Sequence, residues 1–89
     1  MRYQRNNQVA ARTVAGTHLL IPLGGAARSV YTLNATGCRL WELLAQPRTE
    51  VSLAAALLES YELSAETAQH DVRVFLDDLV RLNLAEEVE

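Results

Sequence analysis

The sequence has a single cysteine, Cys38, among its 89 residues. One thiol excludes a disulfide within the chain and a metal centre built from several cysteines. Long apolar runs are also missing, since no stretch approaches the roughly 20 residues that span a bilayer. The polar start, Met-Arg-Tyr-Gln-Arg, lacks the apolar core of a secretory signal. We therefore expect a cytoplasmic protein without a membrane segment.

Lysine is absent, and the remaining charges are unevenly distributed along the chain. Residues 1–33 carry four arginines and no acid, whereas residues 34–89 carry four arginines against all eleven acids, which leaves a net charge of −7. A basic first part would suit an acidic ligand. The alternative is that these arginines occupy solvated strand positions and contribute little.

The side-chain patterns of enzymes and metal sites are missing as well. His18 and His70 have no ligand-spaced partners, and the Gly-Gly-Ala-Ala stretch at 24–27 lacks the spacing of a phosphate-binding loop. Cys38 falls near the start of a predicted helix, where a thiol can have a lowered pKa. A small buried apolar side chain is the plainer interpretation. The sequence therefore predicts a protein that is not an enzyme and has no cofactor.

Two strands and a turn are predicted from the first third of the chain. Residues 9–14 and 17–23 have strand composition and are separated by the turn signal Ala15-Gly16. A third strand is predicted over residues 29–33, Ser-Val-Tyr-Thr-Leu, and it runs directly into the helix-capping residue Asn34. A strand that continues into a helix without a loop is held at a fixed angle to that helix. Its outer edge is our candidate binding surface.

Three helices are predicted to follow the strands. The first spans residues 35–45, the second spans residues 50–61 with Thr49 as cap, and the third begins after the cap Ser64. The third carries an apolar stripe at spacings of three and four residues and ends before Asn83, a residue that tolerates the left-handed conformation. The stripe consists of Ala68, Val72, Phe75, Leu76 and Leu79.

This order predicts one α+β domain over residues 9–86, preceded by a flexible segment over residues 1–8. A three-stranded antiparallel sheet followed by three helices resembles a winged helix-turn-helix. A DNA-binding regulator is therefore one alternative, but the third helix has four acids against two arginines and would be repelled by phosphates. A structural dimerisation domain is another alternative, because open strand edges also pair with a second copy.

The sequence also resembles a known family. Tyr-Thr-Leu-Asn-Ala-Thr-Gly at 31–37, Leu-Trp-Glu-Leu-Leu at 40–44 and Asp-Val-x-x-Phe-Leu-x-x-Leu at 71–79 resemble the PqqD family. This family comprises the peptide chaperones of pyrroloquinoline quinone (PQQ) biosynthesis and related recognition elements of ribosomally synthesised, post-translationally modified peptides (RiPPs). The resemblance implies binding of a precursor's leader by strand addition and its presentation to a modifying enzyme, often a radical S-adenosylmethionine (SAM) protein, with PQQ biosynthesis as only one of the pathways. It implies no nucleic-acid or membrane partner.

The resemblance also implies where the leader binds, in a groove between the third strand and the third helix. The residues implied on the strand are Arg28, Ser29, Val30, Tyr31 and Thr32. On the helix we expect one flank of the apolar stripe, namely Arg73, Leu76, Asp77 and Val80. A helical wheel does not say which flank faces the strand, so the opposite one, Asp71, Phe75 and Asp78, stays open.

Overall fold

The computed structural model describes residues 1–23 and 30–88, which form six strands and three helices. Their architecture confirms the predicted α+β class, with a three-stranded antiparallel sheet followed by three helices. The predicted loop at 24–27 and the predicted site residues Arg28 and Ser29 lie outside the described residues. In chain order the elements are β1 (Arg2–Arg5), β2 (Val9–Val14), β3 (Thr17–Pro22), β4 (Tyr31–Leu33), α1 (Ala35–Leu43), β5 (Arg48–Thr49), α2 (Glu50–Ser60), α3 (Ala65–Arg81) and β6 (Ala85–Val88).

The first sheet has the order β2-β3-β4 and is antiparallel throughout. Its hairpin turns at Ala15 and Gly16, which have φ angles of 51° and 81°. Positive φ at both central residues is typical of the turn that matches the twist of two-residue hairpins. Leu20, at the centre of β3, pairs with Tyr31 and is completely buried.

A second sheet, with the order β5-β1-β6, contains both ends of the described chain. Residues 1–8 are predicted to be flexible, yet β1 pairs with β6 from Arg2 opposite Val88 to Arg5 opposite Ala85. Strand β6 spans Ala85–Val88. The apolar anchor of β1 is Tyr3, which is 9% exposed. One aromatic side chain among polar neighbours gives almost no periodic signal for a strand. The partner of β1 also lies some eighty residues further along the chain.

The three helices begin at the predicted caps. The side chains of Asn34, Thr49 and Ser64 each accept a hydrogen bond from a backbone N–H of the first turn. These bonds satisfy donors that a helix start leaves unpaired. No helix in the described part of the chain is long and apolar enough to cross a membrane.

Helix α3 ends in a way that returns the chain to β1. Asn83 has φ of 61°, the N–H of Leu84 donates to the carbonyl of Leu79 at 2.8 Å, and the N–H of Asn83 donates to the carbonyl of Val80 at 3.1 Å. This pair of bonds around a left-handed residue is the Schellman motif. Leu84 is thereby buried, and β6 starts at the next residue.

Candidate functional site

A groove of about 410 Å³ separates β4 from α3. One wall is β4 with the start of α1, and the other wall is the flank of α3 around Asp71 and Phe75. The residues that line it are Tyr31, Thr32, Leu33, Asn34, Thr36, Gly37, Leu40, His70, Asp71, Val74 and Phe75. The groove is thus formed where a strand, a helix start and a second helix meet.

Strand β4 is the outer strand of its sheet. It pairs with β3 along one edge, and no strand within residues 1–23 and 30–88 pairs with the other. The N-terminal arm does not fill this edge, because β1 pairs with β5 and β6 instead. Val30 is 50% exposed and Thr32 is exposed. An open edge of this kind presents main-chain donors and acceptors to an incoming strand.

The junction of β4 and α1 lies within the first wall of the groove. Asn34 has extended backbone, and its side-chain oxygen accepts from the Gly37 N–H at 2.8 Å and from the Thr36 hydroxyl at 3.0 Å. A Cβ on Gly37 would lie 3.1 Å from that oxygen, 3.2 Å from Leu33 Cδ2 and 3.4 Å from Phe75 Cε1. Glycine therefore lets the first turn of α1 approach both the strand and α3 closely.

Tyr31 connects β4 to α3. Its ring meets that of Phe75 edge to face, with centroids 6.2 Å apart, and its hydroxyl donates to Asp78 Oδ2 at 3.3 Å. Asp78 Oδ1 in turn accepts from Arg81 at 2.9 Å. Burial raises the pKa of the Tyr31 phenol, the Asp78 carboxylate raises it further, and Arg81 opposes this. These contacts fix the position of β4 relative to α3.

A comparison with known families matches residues 18–85 to Coenzyme PQQ synthesis protein D (PqqD). The chain belongs to the PqqD family. The matched residues include the whole groove, from Tyr31 to Phe75, and the match confirms the resemblance inferred from the sequence. A search of curated proteins gives no match.

The fold is also similar to a solved structure, that of TbiB1 in complex with the TbiA(beta) leader peptide. The two chains superpose with a TM-score of 0.78 and 23% sequence identity, over 97% of this chain and 98% of TbiB1.

In this PqqD-family chain, two of the predicted strand residues line the groove and a third lies beside it. Tyr31 and Thr32 line the groove, and Val30 lies immediately before β4.

The helix residues predicted for the site do not line the groove. Arg73 donates to Glu50 of α2 at 3.0 Å and lies 3.7 Å from Asp77, so both are on a flank that contacts α2. Leu76 is 1% exposed and belongs to the core, and Val80 packs against that core. The flank expected from the sequence therefore lies outside the lining of this groove.

The flank that the helical wheel left open is the one facing β4. Asp71 and Phe75 line the groove, and Asp78 bonds to Tyr31. His70 and Val74 line it as well, and the sequence reasoning did not select them for the site. Val74 is 46% exposed although it is apolar. The available sequence signal for this flank was Val74, an apolar residue outside the predicted apolar stripe of α3.

The described residues show no arrangement suited to metal binding or thiol chemistry. They contain no group of three or more His, Cys, Asp or Glu side chains that could hold a metal ion. Burial, with Glu42 nearby, raises the pKa of the Cys38 thiol, which favours the less reactive protonated form. His18 is 2.9 Å from the hydroxyl of Thr13 across the hairpin.

A second cavity, of about 360 Å³, lies between β1, β2 and α1. Arg5 is held there: its guanidinium lies 5.4 Å from the centre of the Trp41 ring and donates to the Trp41 carbonyl at 3.2 Å. Arg5, the charged side chain of this cavity, is thus already bound within the protein. The groove beside β4 is therefore the better candidate for ligand binding.

Proposed function

We propose that this chain is a peptide-recognition module that binds the leader of a ribosomally synthesised precursor and presents it to a modifying enzyme. The observation that carries the proposal is the edge of β4 beside the groove against α3, which no strand in the described part of the chain pairs with. Membership of the PqqD family supports it, and so does the similar fold of TbiB1, a protein solved with a leader peptide.

The leader is proposed to bind as an added strand next to β4. Main-chain hydrogen bonds to the open edge supply affinity, and alternate side chains of the peptide enter the groove or face solvent. Val74 is half exposed beside the nearly buried side chains of Leu33, Leu40 and Phe75, and this apolar lining favours an apolar peptide side chain at the positions that point inward.

The module is proposed to act as a non-catalytic partner, with the modification carried out by a separate enzyme. A radical SAM enzyme is the partner class that the resemblance to peptide chaperones of this family implies. DNA binding is not favoured, because α3 has four acids and two arginines and both arginines are paired with acids.

The first test is an NMR titration of the isotope-labelled protein with the synthetic leader of the precursor encoded beside its gene. We expect the largest amide shifts at residues 30–34 and at residues 70, 71, 74 and 75. Arg73 and Asp77, on the other flank of α3, serve as internal controls and should shift little. Shifts confined to the second cavity, or no binding at all, would refute the proposal.

A second test addresses strand addition through the peptide backbone. Each residue of the leader is N-methylated in turn, which removes one main-chain donor. The main-chain N–H groups of successive peptide residues point alternately toward and away from β4. N-methylation should therefore weaken binding at every other position. The expected increase in Kd is about tenfold or more, because a hydrogen bond is lost and a methyl group is added. Equal losses at all positions would contradict an added strand.

A bare edge also allows two copies to pair through β4. A bound leader would occupy the same main-chain groups and dissociate such a dimer. Sedimentation velocity with and without leader measures this competition, and a dimer that persists with saturating leader would show that the two do not share the edge.

A further inference from the structure

Asp71 differs from the other two aspartates of α3. Asp77 lies 3.7 Å from Arg73, and Asp78 accepts from both Arg81 and Tyr31. The carboxylate of Asp71 has no hydrogen-bond or ion-pair partner among residues 1–23 and 30–88. It is nevertheless half-buried and lines the groove, opposite the junction of β4 and α1.

The neighbours of Asp71 in the groove are mostly apolar or uncharged. Val74 and Phe75 follow it on the same helix, and Leu40 and Thr36 lie across the groove. His70 is the other ionisable side chain in the lining. At present water can reach the carboxylate, because the groove is open.

A strand added to β4 would cover the groove and remove water from Asp71. Burial of a carboxylate without a partner is costly, and a positively charged donor is the partner that offsets the cost best. A pair formed in a partly enclosed, apolar setting is also screened less than one at the surface.

We propose that Asp71 selects leaders that place a lysine or arginine side chain over this end of the groove. The inference rests on the proposed leader binding and adds a charge requirement to it. The arginine-rich first third of the chain suggested an acidic ligand. The proposal is the opposite, a ligand with a positive charge, because the acid that lines the groove is Asp71. The class of ligand is thus an extended peptide with an apolar side chain and a cationic side chain on its groove-facing side.

The test is a double-mutant cycle read by fluorescence anisotropy. The probe is the N-acetylated synthetic leader, in which each lysine or arginine is replaced in turn by norleucine or citrulline. Each peptide is titrated against the wild type, Asp71→Asn and the matched control Asp77→Asn, which loses the same charge on the other flank. Far-UV circular dichroism verifies that the variants are folded.

One cationic residue of the leader is expected to dominate. Its replacement should raise Kd about tenfold for the wild type and Asp77→Asn, but less than about twofold for Asp71→Asn. Asp71→Asn should itself weaken the unmodified leader by a similar factor. The effect should shrink as salt is raised from 50 to about 500 mM.

Three outcomes would overturn the inference. They are equal affinities of wild type and Asp71→Asn, equal losses for every cationic replacement in both proteins, and a tightly binding leader without lysine or arginine in its contact region. In each of these the leader still binds, so leader recognition itself would stand. A wild-type chain that binds no leader would refute both.

Discussion

The two flanks of α3 differ in how their charges are satisfied. Toward α2, Arg73 contacts Glu50 and Asp77, and these charges are matched within the folded chain. Toward β4, Asp71 has no partner among the described residues and Val74 is half exposed. The charges of the first flank are therefore matched, whereas the Asp71 end of the second has a carboxylate without a partner among the described residues and a half-exposed valine.

The largest effect is expected where the two flanks meet, in the core. Leu76→Ala should lower the free energy of unfolding by about 2–5 kcal/mol, because a fully enclosed side chain leaves a cavity. Urea denaturation measures this, with Val74→Ala on the exposed surface as control. A loss below about 1 kcal/mol would mean that Leu76 is not part of the core.

Leader binding should be sensitive to a charge introduced into the apolar part of the α3 flank that faces β4. Val74→Glu places a carboxylate against the incoming peptide and should raise the Kd for leader more than about tenfold. Val51→Glu is the matched control, since Val51 on α2 is 80% exposed and outside the groove lining. Anisotropy titrations of both variants decide the point, and equal weakening by the two would contradict a site beside β4.

Removal of the hydrogen bond between Tyr31 and Asp78 should have a smaller effect, which is seen in the free energy of unfolding. Tyr31→Phe keeps the ring against Phe75 but removes a hydrogen bond of 3.3 Å, with an expected loss of about 0.5 kcal/mol at neutral pH. The folded pKa of Tyr31 is raised above its ordinary value of 10.0, so its stabilising contribution is complete below pH 10 and is lost as pH rises through the raised pKa.

The difference in stability between the wild type and Tyr31→Phe should therefore narrow above pH 10. Denaturation at pH 7 and pH 10.5 tests this. Tyr3, whose pKa is raised mainly by burial, is present in both proteins, so its titration cancels in the comparison. A stability difference that grows with pH would contradict a raised pKa of Tyr31 in the folded state.

The smallest effect is expected on the flank toward α2. Arg73→Gln and Asp77→Asn break exposed ion pairs, which contribute little because water and salt screen them. We expect leader affinity to stay within error of the wild type and the denaturation midpoint to move only slightly. A marked loss of leader binding in either variant would restore the flank expected from the sequence.

Local signals in the sequence were sufficient for most of the fold. Asn34, Thr49 and Ser64 cap their helices as predicted, and Asn83 takes the left-handed conformation. Each of these features depends on residues within a few positions of one another. The direct passage from β4 into α1 also followed from local composition, since strand-forming residues run up to the capping residue Asn34.

The features that sequence reasoning missed depend on distant residues. Strand β1 pairs with β6 across the length of the chain, and Tyr3 alone marks its buried side. The orientation of α3 relative to β4 could not be predicted for a related reason. The apolar stripe is bordered by charged residues on both sides, and the contacts of Tyr31 with Phe75 and Asp78 show which side faces the strand.

The pairing of Arg2 with Val88 brings the two chain ends side by side. A polypeptide fused before β1 or after β6 would leave the domain from the same place, and neither strand contributes to the groove lining. The domain is therefore suited to be carried as a fusion module, because a tether at either end, or a short linker that joins the two ends, would leave the groove unobstructed.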